Sequence, residues 1–146
     1  KEITTEGGLN LKKNKIKIKK IISKFKRKKI RTSLFINPSI DDIKIAKNLG
    51  ADCIEIHTGK LANLVKSKKN YLKELNKIKK CSILANQLDI EVHAGHGLTT
   101  GSVGYISKIR EIKELNIGHA IISDSIFMGL RGAIELMKQK IKESRL

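Results

Sequence analysis

Short apolar runs rich in β-branched residues alternate along this chain with longer amphipathic runs, and that alternation constrains the fold more than any other feature. "TSLFIN" (Thr32 to Asn37), "CIEIHTG" (Cys53 to Gly59), "IEVHAG" (Ile90 to Gly95) and "NIGHAIIS" (Asn116 to Ser123) read as strands. Helical patterns separate them. Ile18, Ile21, Ile22 and Phe25 share one helical face before the first strand. After that strand, "SIDDIKIAKNLG" offers Ser39 as N-cap, Asp42 three residues later and Gly50 as terminator. A long helix is expected from about Leu64 to Leu88, with Leu72, Leu75, Ile78 and Leu84 inward. A last helix is expected from near Ile126, with Leu130, Ile134, Met137 and Ile141 on one stripe and Gly132 within it.

Strand and helix in repeated alternation form βα units on a parallel sheet. A closed (β/α)₈ barrel needs eight strands and about 250 residues. The expectation is therefore an α/β fold of the TIM-barrel class, with residues 1–146 forming one partial barrel of about four parallel βα units. Hydrophobic residues make up 40% of the chain but aromatic residues only 3%, so the core must be aliphatic. Cys53 and Cys81 show no disulfide or CxxC spacing, which suits a reducing, cytoplasmic setting. No apolar run approaches the ~20 residues of a membrane span.

The formal charge is +17. Between Leu11 and Arg31 stand twelve basic residues and no acidic one. Most are lysine, with few arginine forks to read bases and few aromatic platforms to stack on them. A solvated lysine face with non-specific polyanion attraction is the reading, with no specific nucleic-acid partner.

Strand parity places Glu55 with His57, and Glu91 with His93, on faces opposite Ile54, Ile56, Ile90 and Val92. In a barrel the strands' C-terminal ends open into the active site. "HAGHGLTTG" lacks the ending of a P-loop, but Gly95, Gly97 and Gly101 suit an anion-binding nest. His96, between two glycines, is a candidate proton carrier. Glu91, His93 and His96 could ligate a metal, but their spacing matches no standard zinc pattern, and no metal is expected. His119 shares its parity with Ile117 and Ile121, leaving a wall histidine or a site residue as alternatives.

The runs "EITTEGGL", "SLFINP", "GADCIEIHTG", "AGHGLT" and "ELNIGHAII", with Gly129–Leu130, together resemble the pyridoxine 5′-phosphate synthase family over nearly the whole chain. The resemblance implies a (β/α)₈ barrel assembled as homo-oligomers. It implies condensation of 3-amino-2-oxopropyl phosphate with 1-deoxy-D-xylulose 5-phosphate, giving pyridoxine 5′-phosphate, phosphate and water. No metal or organic cofactor is implied. Partners would be small phosphorylated substrates. By match, His96 is the general acid and Glu55 the transition-state-stabilising carboxylate. Thr4, Gly97, Gly118 and His119 would bind substrate or product phosphate, with His57, His93 and Glu91 around them. The family's opening strands carry further catalytic and binding groups that these 146 residues do not contain, so the chain alone is expected to be inactive. The alternative is a nonenzymatic remnant that binds polyanions such as RNA. Ser123–Asp124 replaces a familiar glycine-arginine pair, His93 a familiar asparagine, and Thr99 to Val103 departs from the family's usual run.

Overall fold

The computed structural model describes residues 7–145, so Thr4 lies outside the described residues. Ten elements follow in order: α1 Leu11–Arg27, β1 Ser33–Ile36, α2 Ile40–Leu49, β2 Cys53–His57, α3 Gly59–Lys66, α4 Leu72–Gln87, β3 Glu91–Gly95, α5 Val103–Ser107, β4 Ile112–Asn116 and α6 His119–Arg145. The four strands form one parallel sheet in sequential order β1-β2-β3-β4. This is a (β/α)₄ portion of a TIM-barrel-like fold.

Each strand has an apolar and a polar side. Leu34, Ile54, Val92 and Ile112 stand in register across the sheet, and Ile36, Ile56 and Ala94 form the next row. All are buried, in one cluster with Ile43, Ala46 and Leu49 of α2 and Ile78, Cys81 and Ala85 of α4. A fully buried isoleucine or leucine is worth roughly 1.5–3 kcal/mol, so these rows fix the register against slippage. The intervening row, Phe35, Glu55, His93 and Glu114, lies on the other side. A register shift at Val92/His93 adjusts β4 against β3.

Local signals explain the helix ends. The Ser39 hydroxyl caps α2 by accepting from Asp42 N–H, and Gly50 ends it at φ 82. Asn10 caps α1 by accepting from Lys13 N–H. Just before α1 the chain runs against β1: Leu9 N–H donates to Phe35 O at 2.8 Å. A Cβ at Gly8 would stand 2.3 Å from Asn37 N, so only glycine permits that approach.

Three expectations are corrected. The fourth strand is Ile112–Asn116, not Asn116 to Ser123; only Asn116 is common to both, and His119 opens a helix. The β-branched "AII" is absorbed into that helix because tertiary pairing overrides local propensity. The expected Leu64–Leu88 helix is two, α3 and α4, broken around Lys68 at φ 52, and Leu72 is exposed. The last helix begins at His119 rather than near Ile126 and is kinked at Gly129 (φ 76, ψ 155), a conformation open essentially to glycine alone. Beyond the kink Ala133 and Met137 are buried. Arg145 closes the far end, its guanidinium donating to Ser107 O and Ile112 O. Before the kink Ile126 and Phe127 are 78% and 87% exposed, and Leu130 is exposed as well rather than on the buried stripe.

Among the described residues neither β1 nor β4 has a second strand neighbour. The outer edge of β4, without a further strand among the described residues, together with exposed Ile122, Ile126 and Phe127, makes a surface suited to association. The 146-residue polypeptide by itself should therefore elute as self-associated species in gel filtration; a monodisperse monomer with a sharp, cooperative melt would contradict this.

Asp52 ties the starts of β1 and β2 together. Its Oδ2 accepts from Thr32 N–H at 2.8 Å and from the Thr32 hydroxyl at 3.0 Å. The Thr32 backbone donor holds this carboxyl below its usual range, and partial burial opposes it. A depressed folded-state pKa contributes stability that is present above the unfolded value and lost as pH falls through the folded one. Asp52→Asn should lower urea-unfolding stability at neutral pH by roughly 1–2 kcal/mol. The gap to the parent should narrow below about pH 4.

Candidate active site

The strand ends converge on a cleft of about 950 Å³ lined by Phe35, Glu55, His96, Gly97, Gly118 and His119, with Leu98, Thr99, Asn116, Ile117, Ala120, Ile122 and Ser123 around them. Phe35 and Glu55 face it from β1 and β2. His96 and Gly97 follow β3 directly, at φ 75 and 74. For a histidine this left-handed backbone is strained by roughly 1–2 kcal/mol. Thr58 holds it there: its N–H donates to Gly95 O at 2.8 Å, and its buried hydroxyl stands 2.6 and 2.7 Å from Gly95 O and His96 O.

The His96 ring stacks on His57, with centroids 4.7 Å apart, and both lie near Phe35. Two glycines make room. A Cβ at Gly59 would stand 2.8 Å from the His57 ring and 2.9 Å from the His96 ring; one at Gly97 would stand 3.1 Å from Gly59 Cα. His57 also borders a second hollow with His96, Lys60, Asn63 and Lys69.

Gly118 and His119 reach the cleft from the start of α6. The first N–H groups of a helix have no intrahelical acceptor, so this turn suits an anion. His119 is exposed, which sets aside the alternative of a buried wall histidine. Ser123 lines the cleft and Asp124 is not among its lining residues.

Glu91 and His93 form a separate group. His93 Nε2–H donates to Glu91 Oε1 at 2.8 Å, Glu91 meets Arg31 at 3.0 Å, and Glu114 Oε2 lies 3.7 Å from His93 Nδ1. The His93 bond, then Arg31, holds the Glu91 carboxyl below its usual range, and Glu91 raises Arg31 in turn. One donor atom each from Glu91, His93 and Glu114 falls within 4.8 Å of the others. The metal-donor grouping that the sequence offered, with His96, is thus not the one brought together. The observed three are committed to one another and to Arg31 as a charge ladder.

Asn116, which the sequence reading passed over, donates from Nδ2 to Glu55 Oε2 at 2.8 Å. Its only sequence signal is its position at the end of a strand.

Gly59→Ala tests the imidazole stack. Alanine favours helix over glycine by about 1 kcal/mol, yet its Cβ would meet both rings. The His57 and His96 ring signals in ¹⁵N-edited NMR should both move, with no gain in melting temperature; unchanged ring signals would contradict the packing.

The family of the pyridoxal phosphate biosynthesis protein PdxJ matches residues 1–143. The pyridoxine 5′-phosphate synthase of Pelagibacter ubique (strain HTCC1062) is 60% identical over 139 residues, 95% of this chain and 58% of that protein. That of Sulfurihydrogenibium sp. (strain YO3AOP1) is 46% identical over 144 residues, 99% of this chain and again 58% of the relative. That of Campylobacter fetus subsp. fetus (strain 82-40) is 39% identical over 163 residues, 97% of this chain and 63% of the relative. The chain thus spans about three fifths of the length of the curated relatives it matches. With a (β/α)₄ sheet, a cleft at its strand ends and this likeness along almost its whole length, the chain belongs to the PdxJ family of pyridoxal phosphate biosynthesis proteins.

Proposed function

We propose that the complete polypeptide is a pyridoxine 5′-phosphate synthase. It would condense 3-amino-2-oxopropyl phosphate with 1-deoxy-D-xylulose 5-phosphate to give pyridoxine 5′-phosphate, phosphate and water. The observation that carries this reading is the shared cleft: an imidazole, a carboxylate and a helix N-terminus converge on one space of about 950 Å³. The sequence likeness to named synthases supports it.

Each group has a task. Imine formation, enolisation, phosphate loss, hydration and aromatisation nearly all move protons. His96 delivers a proton from the cleft wall; its ring stacks against His57, and its backbone is fixed through Thr58. Glu55 offers negative charge where the iminium-like intermediates are positive. The amides of Gly118 and His119, at the start of α6, hold a phosphate without adding a formal charge. Gly97 gives backbone access beside His96. Thr4 joins the substrate contacts in this reading. The reading includes small phosphorylated substrates, no resident cofactor and a homo-oligomeric, cytoplasmic protein. The groups of these 146 residues alone do not complete the reaction.

Steady-state kinetics of the complete enzyme separates the roles. His96→Ala should lower kcat by roughly 10²–10⁴-fold, with smaller changes in KM. Gly118→Val makes the contrast: a Cβ there meets no protein atom within 4 Å, so the added bulk enters open space and should mainly raise KM. Near-normal kcat for His96→Ala across about pH 6–9 would remove His96 as the acid.

A further inference from the structure

The Asn116–Glu55 bond joins β4 to β2, although β3 runs between them. It crosses at Gly95, which pairs in register with His57 on one side and Asn116 on the other. A Cβ at Gly95 would stand 2.2 Å from Glu55 Oε1 and 3.0 Å from Asn116 Cβ. Any side chain there would occupy the space of the Glu55 carboxylate. The missing side chain on the middle strand is therefore what lets a β2 carboxylate and a β4 amide meet above it.

We propose that Asn116 is the positioning residue for Glu55: its amide holds Oε2 while Oε1 sits over the gap at Gly95, which fixes the carboxylate's orientation toward the substrate. This rests on the reading of Glu55 as the carboxylate serving the condensation. The chemistry fits an amide. A neutral N–H donor fixes a carboxylate without cancelling the charge that catalysis uses, as a lysine would. Asn116 stands two residues before Gly118, so the same short segment that presents the helix N-terminus also anchors Glu55. One hydrogen bond and two or three backbone steps connect the carboxylate to the amides of Gly118 and His119.

Two measurements on the complete enzyme test this. The first is kinetic. Asn116→Ala should lower kcat roughly ten- to hundred-fold, the range for a lost hydrogen bond to a charged group. On a Glu55→Gln background the same substitution should cost nothing more, because both changes disable one unit. The second measurement needs no turnover. Asn116→Asp is isosteric and brings a like charge to the carboxylate, so the pair should retain a shared proton to higher pH. The Glu55 side-chain carbon signal in ¹³C NMR should then titrate at higher pH than in the parent. The other titratable groups near this end of the sheet are His57 on β2, His93, Glu91 and Glu114 beyond it, and His96 and His119 across the cleft; all remain unchanged in the variant. Full additivity of Asn116→Ala with Glu55→Gln, or an unmoved Glu55 titration in Asn116→Asp, would overturn the proposal. If the parent enzyme fails to turn over the two phosphates while the Glu55 titration still moves, the positioning stands and the functional reading falls.

Discussion

The register of the parallel sheet is the constraint from which the site follows. Two apolar rows, Leu34–Ile54–Val92–Ile112 and Ile36–Ile56–Ala94, are buried against the helices. A slip by one residue in any strand would exchange these rows for Phe35, Glu55, His93 and Glu114. It would carry carboxylates into an aliphatic core, at several kcal/mol per buried charge. The cleft chemistry is therefore held in place by residues that never touch it. Asp52 adds a polar lock at the other end, joining Thr32 to β2 where the apolar rows begin.

Several glycines of this chain supply space more than flexibility. Gly8 lets the incoming chain lie on β1, Gly59 leaves room for two imidazoles, and Gly95 leaves room for a carboxylate. Gly50, Gly97 and Gly129 have a left-handed φ, whereas for Gly8, Gly59 and Gly95 the argument is steric. This distinction bears on the "HAGHG" run. The sequence suggested a nest of amides around an anion. The geometry gives Gly95 a steric role between strands and makes Gly97 a close neighbour of Gly59. Gly97 and the start of α6 line the same cleft.

Much of this was legible in the sequence, for physical reasons that also mark where reading stopped. Strands β1 to β3 announce themselves because one of their faces is aliphatic and the other carries Phe35, Glu55, His57, Glu91 and His93. β4 is disguised: Lys113 and Glu114 are exposed, so the strand lacks the apolar density that the helical "AII" after it possesses. Its misplacement hid both the helix N-terminus at His119 and the strand-end position of Asn116. The break between α3 and α4 was hidden because lysine-rich helical periodicity continues through it, with Lys68 adopting a positive φ that composition does not encode. Across-strand partners such as Asn116 and Glu55 are 61 residues apart, and no local pattern can pair them.

The histidines show how environment separates roles within one residue type. His93 is buried between Glu91 and Glu114, with Arg31 completing the ladder. A ring held between carboxylates on neighbouring strands gains its stability from staying where it is, and moving its proton to a substrate would break that ladder. His96 has the opposite setting: aromatic rings around it, a strained backbone held through Thr58, and the cleft before it. Among the described residues no carboxylate forms an ion pair with its ring. Glu55, meanwhile, is already held by a neutral amide on the same cleft. In the proposed function, an imidazole without an ion-pair partner suits the acid and a carboxylate held by a neutral amide suits the charge-stabilising group.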